Sequence, residues 1–241
     1  MRIPRIYTSQ ALHPVSTLEL EAGPSHHLIK VLRMDAGRQL ILFNGDGGEY
    51  PSVVSATSKK AAFIAVGERI EKRNQSPLDI TLAIAISKGD RMDWVLQKAT
   101  ELGVTSIQPL FSERTEIKLV GDRLEKKINT WNQIVIGACE QCRRNILPTV
   151  FAPRAMAEFI SDCDAALKLV LHHRTERSLA EISQPSSVCL LVGPEGGLSE
   201  QEIILAESRN FSALSLGPRV MRTETAPLAA ISILQHRWGD M

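Results

Sequence analysis

From Leu78 to the C-terminus, apolar runs alternate with amphipathic ones, and this rhythm limits the possible folds more than any other feature of the chain. Residues 80–87, 104–111, 167–171, 188–192 and 213–216 read as strands, the first and fourth apolar at nearly every position. Strands that are buried on both faces have this pattern. Between them, residues 90–102 carry Met92, Val95, Leu96, Ala99 and Leu102 at helical spacing. Further helices are expected over 122–144, from Glu200, and from about 224 to 238. Strands alternating with amphipathic helices predict an α/β fold, a parallel sheet covered on both faces.

Residues 1–73 differ. Short apolar stretches at 39–43, 49–55 and 61–70, the first two joined by Asn44-Gly45-Asp46-Gly47-Gly48, predict strands. One helix is expected over 26–33 with Ser25 as its N-cap. Several short strands with one helix point to a small β-barrel domain, ending in a polar linker over 71–77. The division expected is 1–73 and 74–241. The first part holds ten Lys/Arg and seven Asp/Glu, net +3; the second holds eighteen and twenty, net −2. The chain's +1 balance and 44% hydrophobic content are those of a soluble globular protein. No apolar run approaches the roughly 20 residues of a membrane span, and the first ten residues lack a signal-peptide core, so the cytoplasm is the expected address. Cys139, Cys142, Cys163 and Cys189 are expected as reduced thiols. Cys139 and Cys142 form a C-x-x-C, but Leu124, Ile128, Trp131, Val135, Ala138 and Cys142 mark an apolar helix stripe. Cys142 then belongs to the core, and no metal site is expected.

Ligands of open α/β sheets bind beyond the carboxyl ends of the strands. Three loops there stand out. Gly193-Pro194-Glu195-Gly196-Gly197-Leu198-Ser199 places three glycines in five residues directly after a buried strand, which permits positive φ and close approach of a ligand to the backbone. It has no P-loop ending, and Ser199 with Glu202 makes a capping box that compensates the helix N-terminus. An anion is therefore poorly served, whereas a neutral heterocycle or a cation-bearing cofactor fits. The second loop, 217–227, sets Arg219 and Arg222 around Val220-Met221 beside Glu224, a cluster able to stabilise developing negative charge or to form a surface ion-pair group. Thr223 or Thr225 is expected as N-cap of the last helix, with Pro227 in its first turn. That helix is apolar nearly all round, which points to a subunit interface. The third loop carries His172 and His173.

Leu191-Val192-Gly193-Pro194-Glu195-Gly196-Gly197, followed by Leu216-Gly217-Pro218-Arg219-Val220-Met221-Arg222-Thr223-Glu224-Thr225-Ala226, resembles the paired signature of the RsmE family, SPOUT-class methyltransferases of 16S ribosomal RNA. The resemblance runs the whole length, through Met1-Arg2-Ile3-Pro4-Arg5, Val31-Leu32-Arg33, residues 97–104, Ser112-Glu113-Arg114 and Glu140-Gln141-Cys142-Arg143-Arg144. Thr115 and Met221 stand where many members have Cys and Leu. The resemblance implies an N-terminal PUA-like RNA-binding barrel and a C-terminal parallel sheet tied in a deep trefoil knot, which binds S-adenosylmethionine and forms a homodimer. Around that cofactor it places Leu171, Val192, Gly193, Pro194, Glu195, Gly196, Gly197, Leu216, Gly217, Val220, Met221 and Thr223. The implied reaction is methylation of N3 of one uridine, uridine 1498 in the usual rRNA numbering, on 16S rRNA within the 30S subunit. Glu224 is the candidate for positioning or proton acceptance, with Arg219 and Arg222 as candidates for anion stabilisation. Arg2, Arg5, Lys30, Arg33, Lys88 and Arg91 are candidates for phosphate contacts. Two other readings stay open here: a non-catalytic RNA-binding or ribosome-assembly protein, and a SPOUT enzyme with another RNA target.

Overall fold

The computed structural model describes residues 3–72, 74–117, 119–171, 179 and 182–241. The chain divides into two compact units. The first runs to Gln75 and also takes in Cys139–Leu147; the second comprises Ser76–Ala138 and Pro148–Met241. The expected boundary at 73/74 therefore moves by two residues, and the first unit recovers a distant segment. Within that unit Tyr7 N donates to Glu140 Oε1 at 3.0 Å, Asn145 Nδ2 to Gly47 O at 3.3 Å, and Arg144 Nη2 to Gln75 Oε1 at 3.2 Å. These bonds link positions far apart in sequence, so no local pattern announces them.

Among the described residues the first unit holds a six-stranded mixed sheet. Its elements are β1 (Arg5–Tyr7), β2 (Ser16–Glu19), α1 (Ala22–His26), a π-helical turn (His27–Val31), β3 (Gln39–Phe43), β4 (Gly48–Thr57), β5 (Ala62–Val66) and β6 (Ile70–Glu71). The order is β1-β3-β4-β5-β2, with β6 also on β4; β1 and β3 are parallel and the other pairs antiparallel. Ile6, Leu28, Leu40, Leu42, Tyr50, Val54 and Ile64 build the core. The β3–β4 turn works as its residues predict: Gly45 and Gly47 take φ of 94° and 87°, and Asp46 Oδ1 accepts from Gly48 N at 2.8 Å. Ser25 is not an N-cap. It is buried inside α1, where its hydroxyl donates to Leu20 O at 2.8 Å and accepts from Ala62 N at 3.1 Å. The expected regular helix over 26–33 instead widens, Leu32 N donating to His27 O five residues back at 2.9 Å.

The second unit is a seven-stranded parallel sheet among the described residues. In chain order it has β7 (Asp79–Ala85), α2 (Asp90–Glu101), β8 (Ser106–Phe111), α3 (Asp122–Cys142), β9 (Thr149–Val150), β10 (Arg154–Ala155), α4 (Met156–Asp162), β11 (Leu167–Leu171), β12 (Ser187–Val192), α5 (Glu200–Ser208), β13 (Ser212–Leu214) and α6 (Thr225–Trp238). The end of α3, from Cys139, is counted with the first unit. The strand order is β10-β8-β7-β12-β11-β13, with β9 on β8. Ile80, Leu82, Ala83, Ile84 and Ala85 on β7, and Val188 through Val192 on β12, are all buried, as strands covered on both faces require. Because every pairing is parallel, the chain leaves β7, β12, β11 and β13 at one edge of the sheet. That edge gathers the loops expected to carry the chemistry. Helix α6 is apolar nearly all round as expected but is not buried on every side of this chain: Ala230, Ile231 and Leu234 are buried, while Ile233 is 44% exposed.

All four cysteines are free. On α3 the core position is Cys139, fully buried, while Cys142 is half-buried, a correction of three residues, close to one helical turn. Cys163, after α4, and buried Cys189 in β12 pack in one cluster. The Cys189 thiol donates to Cys163 and brings the Cys163 thiol down to about 6, against its burial and with help from the Ala165 amide and the Lys168 charge. Cys163 is then the thiol most readily ionised near neutral pH. Iodoacetamide at pH 7 is expected to modify Cys163 before the other three, and Cys189→Ala to slow that labelling. Equal labelling of all four thiols by mass spectrometry contradicts this.

Candidate functional site

The loops at the carboxyl edge of the second unit enclose a cavity of about 440 Å³. Leu171, Val192, the whole 193–197 loop, Leu216, Gly217, Val220, Met221 and Thr223 all stand on its wall, so the sheet brings together every position expected around the cofactor. Arg219 is on the wall as well; Arg222 and Glu224 are not. His172 and His173 lie outside the described residues. The sequence reading missed Arg114, Leu198, Glu200, Ile203, Leu214, Ser215 and Ala226, which complete the lining. Leu198 and Glu200 continue the glycine loop and were within reach of the same argument. Arg114 was not, since it arrives from the loop after β8.

The glycine loop is shaped by close contacts. A Cβ on Gly193 falls 3.0 Å from Leu198 Cγ and 3.1 Å from Leu198 N, so the strand end closes on its own loop only without a side chain there. Gly197 has φ +71° and donates its amide to Pro194 O at 2.8 Å, completing the turn. Arg114 Nη1 donates to Gly196 O at 2.7 Å. Helix α5 then starts at the expected capping box: Glu202 N donates to Ser199 Oγ at 3.1 Å and Ser199 N to Glu202 Oε2 at 2.8 Å, while Glu202 Oε1 accepts from Glu113 N at 2.9 Å. At the head of α5 the Ser199 amide is therefore engaged by the Glu202 carboxylate and the Glu202 amide by the Ser199 hydroxyl, so the chain itself compensates the helix N-terminus and an external anion is poorly served there.

Beside this loop lies an ion-pair group. Arg91 Nη1 donates to Glu195 Oε1 at 3.0 Å, the Lys88 amide donates to the same oxygen at 3.2 Å, and Arg91 Nε is 4.0 Å from Glu224 Oε2. Burial raises the Glu195 carboxyl, but hydrogen bonds from its own amide, the Lys88 amide and Arg91 outweigh it and hold it below the usual carboxylate range. Glu195 is thus ionised at neutral pH. Neither Thr223 nor Thr225 caps α6. Glu224 occupies the N-cap position with helical φ and ψ and no side-chain cap, and the Arg222 carbonyl accepts from Thr225 N at 2.9 Å and Ala226 N at 3.0 Å. The helical turn begins earlier than the threonines predict. Pro227 does lie in the first turn and is buried.

The residues expected at phosphates divide. Arg2 lies outside the described residues. Lys30 and Arg33 are exposed on the first unit. Arg5 is not available: it is buried, donates to Glu49 Oε2 at 2.7 Å and to Asn145, and stacks 4.9 Å from the Phe43 ring centroid. Lys88 Nζ pairs with Glu116, and Arg91 faces two carboxylates. Both stand within the second unit, engaged by acidic side chains rather than presented as free cations.

Two family models match the chain: an RNA methyltransferase domain over residues 74–235 and an RNA methyltransferase PUA domain over residues 24–67. The chain is 35% identical to ribosomal RNA small subunit methyltransferase E of Buchnera aphidicola subsp. Schizaphis graminum, covering 100% of this chain and 98% of that protein. It is 30% identical to the Bacillus subtilis protein of the same name, over 95% of this chain and 94% of that one. A Neisseria gonorrhoeae ribosomal RNA small subunit methyltransferase E bound to S-adenosyl methionine superimposes with a TM-score of 0.94 at 40% identity, covering 99% of both chains. A Legionella pneumophila protein solved with bound cofactor SAM gives 0.97 at 43% identity over 100% of both. The mixed sheet of the first unit and the parallel sheet of the second are accordingly the PUA-like and SPOUT-type parts of one architecture. Likeness on this scale, over both units and from end to end, leads to one assignment: the chain belongs to the ribosomal RNA small subunit methyltransferase E family.

Proposed function

We propose that this chain transfers a methyl group from S-adenosylmethionine to 16S ribosomal RNA, at N3 of one uridine, uridine 1498 in the usual rRNA numbering. The observation that carries the reading is the cavity: the twelve positions singled out in the sequence line it, in a chain matched end to end by structures whose bound cofactor is S-adenosylmethionine. The wall suits such a ligand. Arg114 and Arg219 offset Glu195 and Glu200, so a sulfonium meets no net positive field from them. The glycines leave the loop backbone open to hydrogen bonding, and the head of α5 already carries its own carboxylate. The 193–197 loop, Leu216, Gly217, Val220 and Met221 would hold the cofactor, which supplies an electrophilic methyl group on sulfur.

Uracil N3 carries a proton and is a poor nucleophile until that proton leaves. Glu224 lies off the cofactor wall, next to Thr223 on it, where a group serving the base rather than the cofactor belongs. Its carboxylate accepts or orients the N3 proton, while Arg219, on the wall, and Arg222 stabilise the uracil anion. The base has to leave its stack to meet the methyl group at about 3 to 3.5 Å. Lys30 and Arg33 of the first unit, with Arg2, contact phosphates, and the chain works on the 30S particle as a homodimer.

The decisive experiment is methyl transfer from labelled S-adenosylmethionine to 30S subunits and to naked 16S RNA lacking the modification, with nucleosides identified by mass spectrometry. N3-methyluridine at one site on 30S is the expected product. A methyl group on another base or on a ribose 2′-oxygen replaces the proposed target. Absence of both cofactor binding and transfer returns the chain to a non-catalytic RNA-binding role. Gly193→Ala is expected to weaken cofactor binding about tenfold, because the added Cβ meets the Leu198 amide and pushes the loop off its path. Calorimetry showing unchanged affinity would mean that the loop bonds the cofactor from elsewhere.

A further inference from the structure

We infer that Arg91 is a positioning residue, a clasp that ties the cofactor loop to the head of α6, and not a contact to RNA phosphate. The inference rests on the reading of the cavity as the cofactor site. It does not depend on which group takes the proton or on which RNA is the substrate.

Gly89, at φ +62°, turns the chain from β7 into α2 and brings two donors of one short segment onto a single oxygen. The Lys88 amide and Arg91 Nη1 both reach Glu195 Oε1, at 3.2 and 3.0 Å. The other edge of the same guanidinium lies 4.0 Å from Glu224 Oε2. One side chain therefore joins the loop after β12 to Glu224, at the end of the segment leading into α6, and these two stretches contribute most of the cavity wall. Its charge is already matched. Arg91 has two carboxylates around it, and the neighbouring Lys88 ammonium is paired with Glu116. A phosphate approaching Arg91 meets a group with net negative charge, whereas a free cation is what phosphate binding uses.

A clasp is needed because the loop contains Gly193, Gly196 and Gly197 and has wide backbone freedom in their absence of side chains. Arg114 fixes the loop at the Gly196 carbonyl. Glu195 is the remaining handle, held by Arg91 and the Lys88 amide. The Arg91 side chain is 45% exposed, so the pair adds little to global stability. Its effect is on which loop conformations are populated, and apparent affinity falls in proportion to the fraction of chains in the binding-competent one.

The test is S-adenosylmethionine binding by calorimetry to the full chain with no RNA present. Arg91→Ala is expected to raise the dissociation constant about three- to tenfold. Arg91→Lys, which keeps a charge without the fork, recovers part of the loss. Glu195→Ala, which removes the acceptor oxygen, gives a loss of similar size, and combining it with Arg91→Ala adds little, because one contact is removed twice. Affinity for 30S subunits and its salt dependence stay unchanged. Unchanged cofactor affinity in Arg91→Ala overturns the inference. If 30S binding then weakens and the slope of log affinity against log salt falls by about one, Arg91 is a phosphate contact. Should Arg91→Ala fail to fold, Arg91→Lys and Glu195→Ala carry the same comparison. A wild-type chain that binds no S-adenosylmethionine defeats the functional reading itself, a result distinct from wild type and variant binding alike.

Discussion

Arg5→Ala destabilises the N-terminal unit by about 3–5 kcal/mol, the cost of removing one partner from a buried ion pair. The Arg5 and Glu49 side chains are 4% and 9% exposed and joined at 2.7 Å, with the second guanidinium nitrogen on Asn145 and the plane near Phe43. Truncation leaves the Glu49 carboxylate in a pocket with only the half-exposed Lys72, 3.3 Å away, to balance it. Hydrogen exchange reads the effect where it arises. Protection is expected to fall at the Thr8 and Ile41 amides, which bond Phe43 O and Pro4 O across β1 and β3. Replacing both partners with methionine restores much of the loss, since the expensive species is the unpaired charge rather than the missing bond. Intact protection in Arg5→Ala, together with weaker and less salt-dependent RNA binding, would restore Arg5 to the phosphate contacts.

Arg5 also shows where a sequence stops being legible. Within Met1-Arg2-Ile3-Pro4-Arg5 it reads as one more terminal cation, because its partners stand 44 and 140 positions away. Arg91 with Glu195, 104 positions apart, and Arg114 with Gly196, 82 apart, are hidden for the same reason. Features decided within a few residues were readable. The Ser199–Glu202 box, the 167–171 strand and the glycine turn between β3 and β4 form where local chemistry places them. Near misses fall where local signals tie. Cys139 and Cys142 differ by only about 60° around a helix, so one stripe accommodates either. Two threonines beside Glu224 are equally good caps on paper, and the backbone turn at Arg222 selects neither. The π-helical turn inserts a residue that a 3.6-residue period does not contain.

Glu224→Gln is expected to lower the rate of methyl transfer to 30S subunits by about 10²–10⁴, the range for removing a positioned general base, with cofactor affinity retained. Gln keeps the size of the side chain and an oxygen for Arg91, 4.0 Å away, so the geometry at the head of α6 persists while the proton acceptor is lost. Retained affinity follows from the cavity, whose wall includes Thr223 and Ala226 but not Glu224. The pH profile separates this from a structural effect. Without a base, N3 reacts only in the fraction of uridine that ionises by itself, and below the uracil pKa that fraction grows about tenfold per pH unit. The variant's rate is therefore expected to climb steeply with pH and to close on wild type in alkali, whereas a misplaced helix would depress the rate by the same factor at every pH. Wild-type rate and profile in Glu224→Gln would transfer the task to another group. Arg219 on the wall and Arg222 would then act without a base, by lowering the cost of the uracil anion rather than by taking its proton.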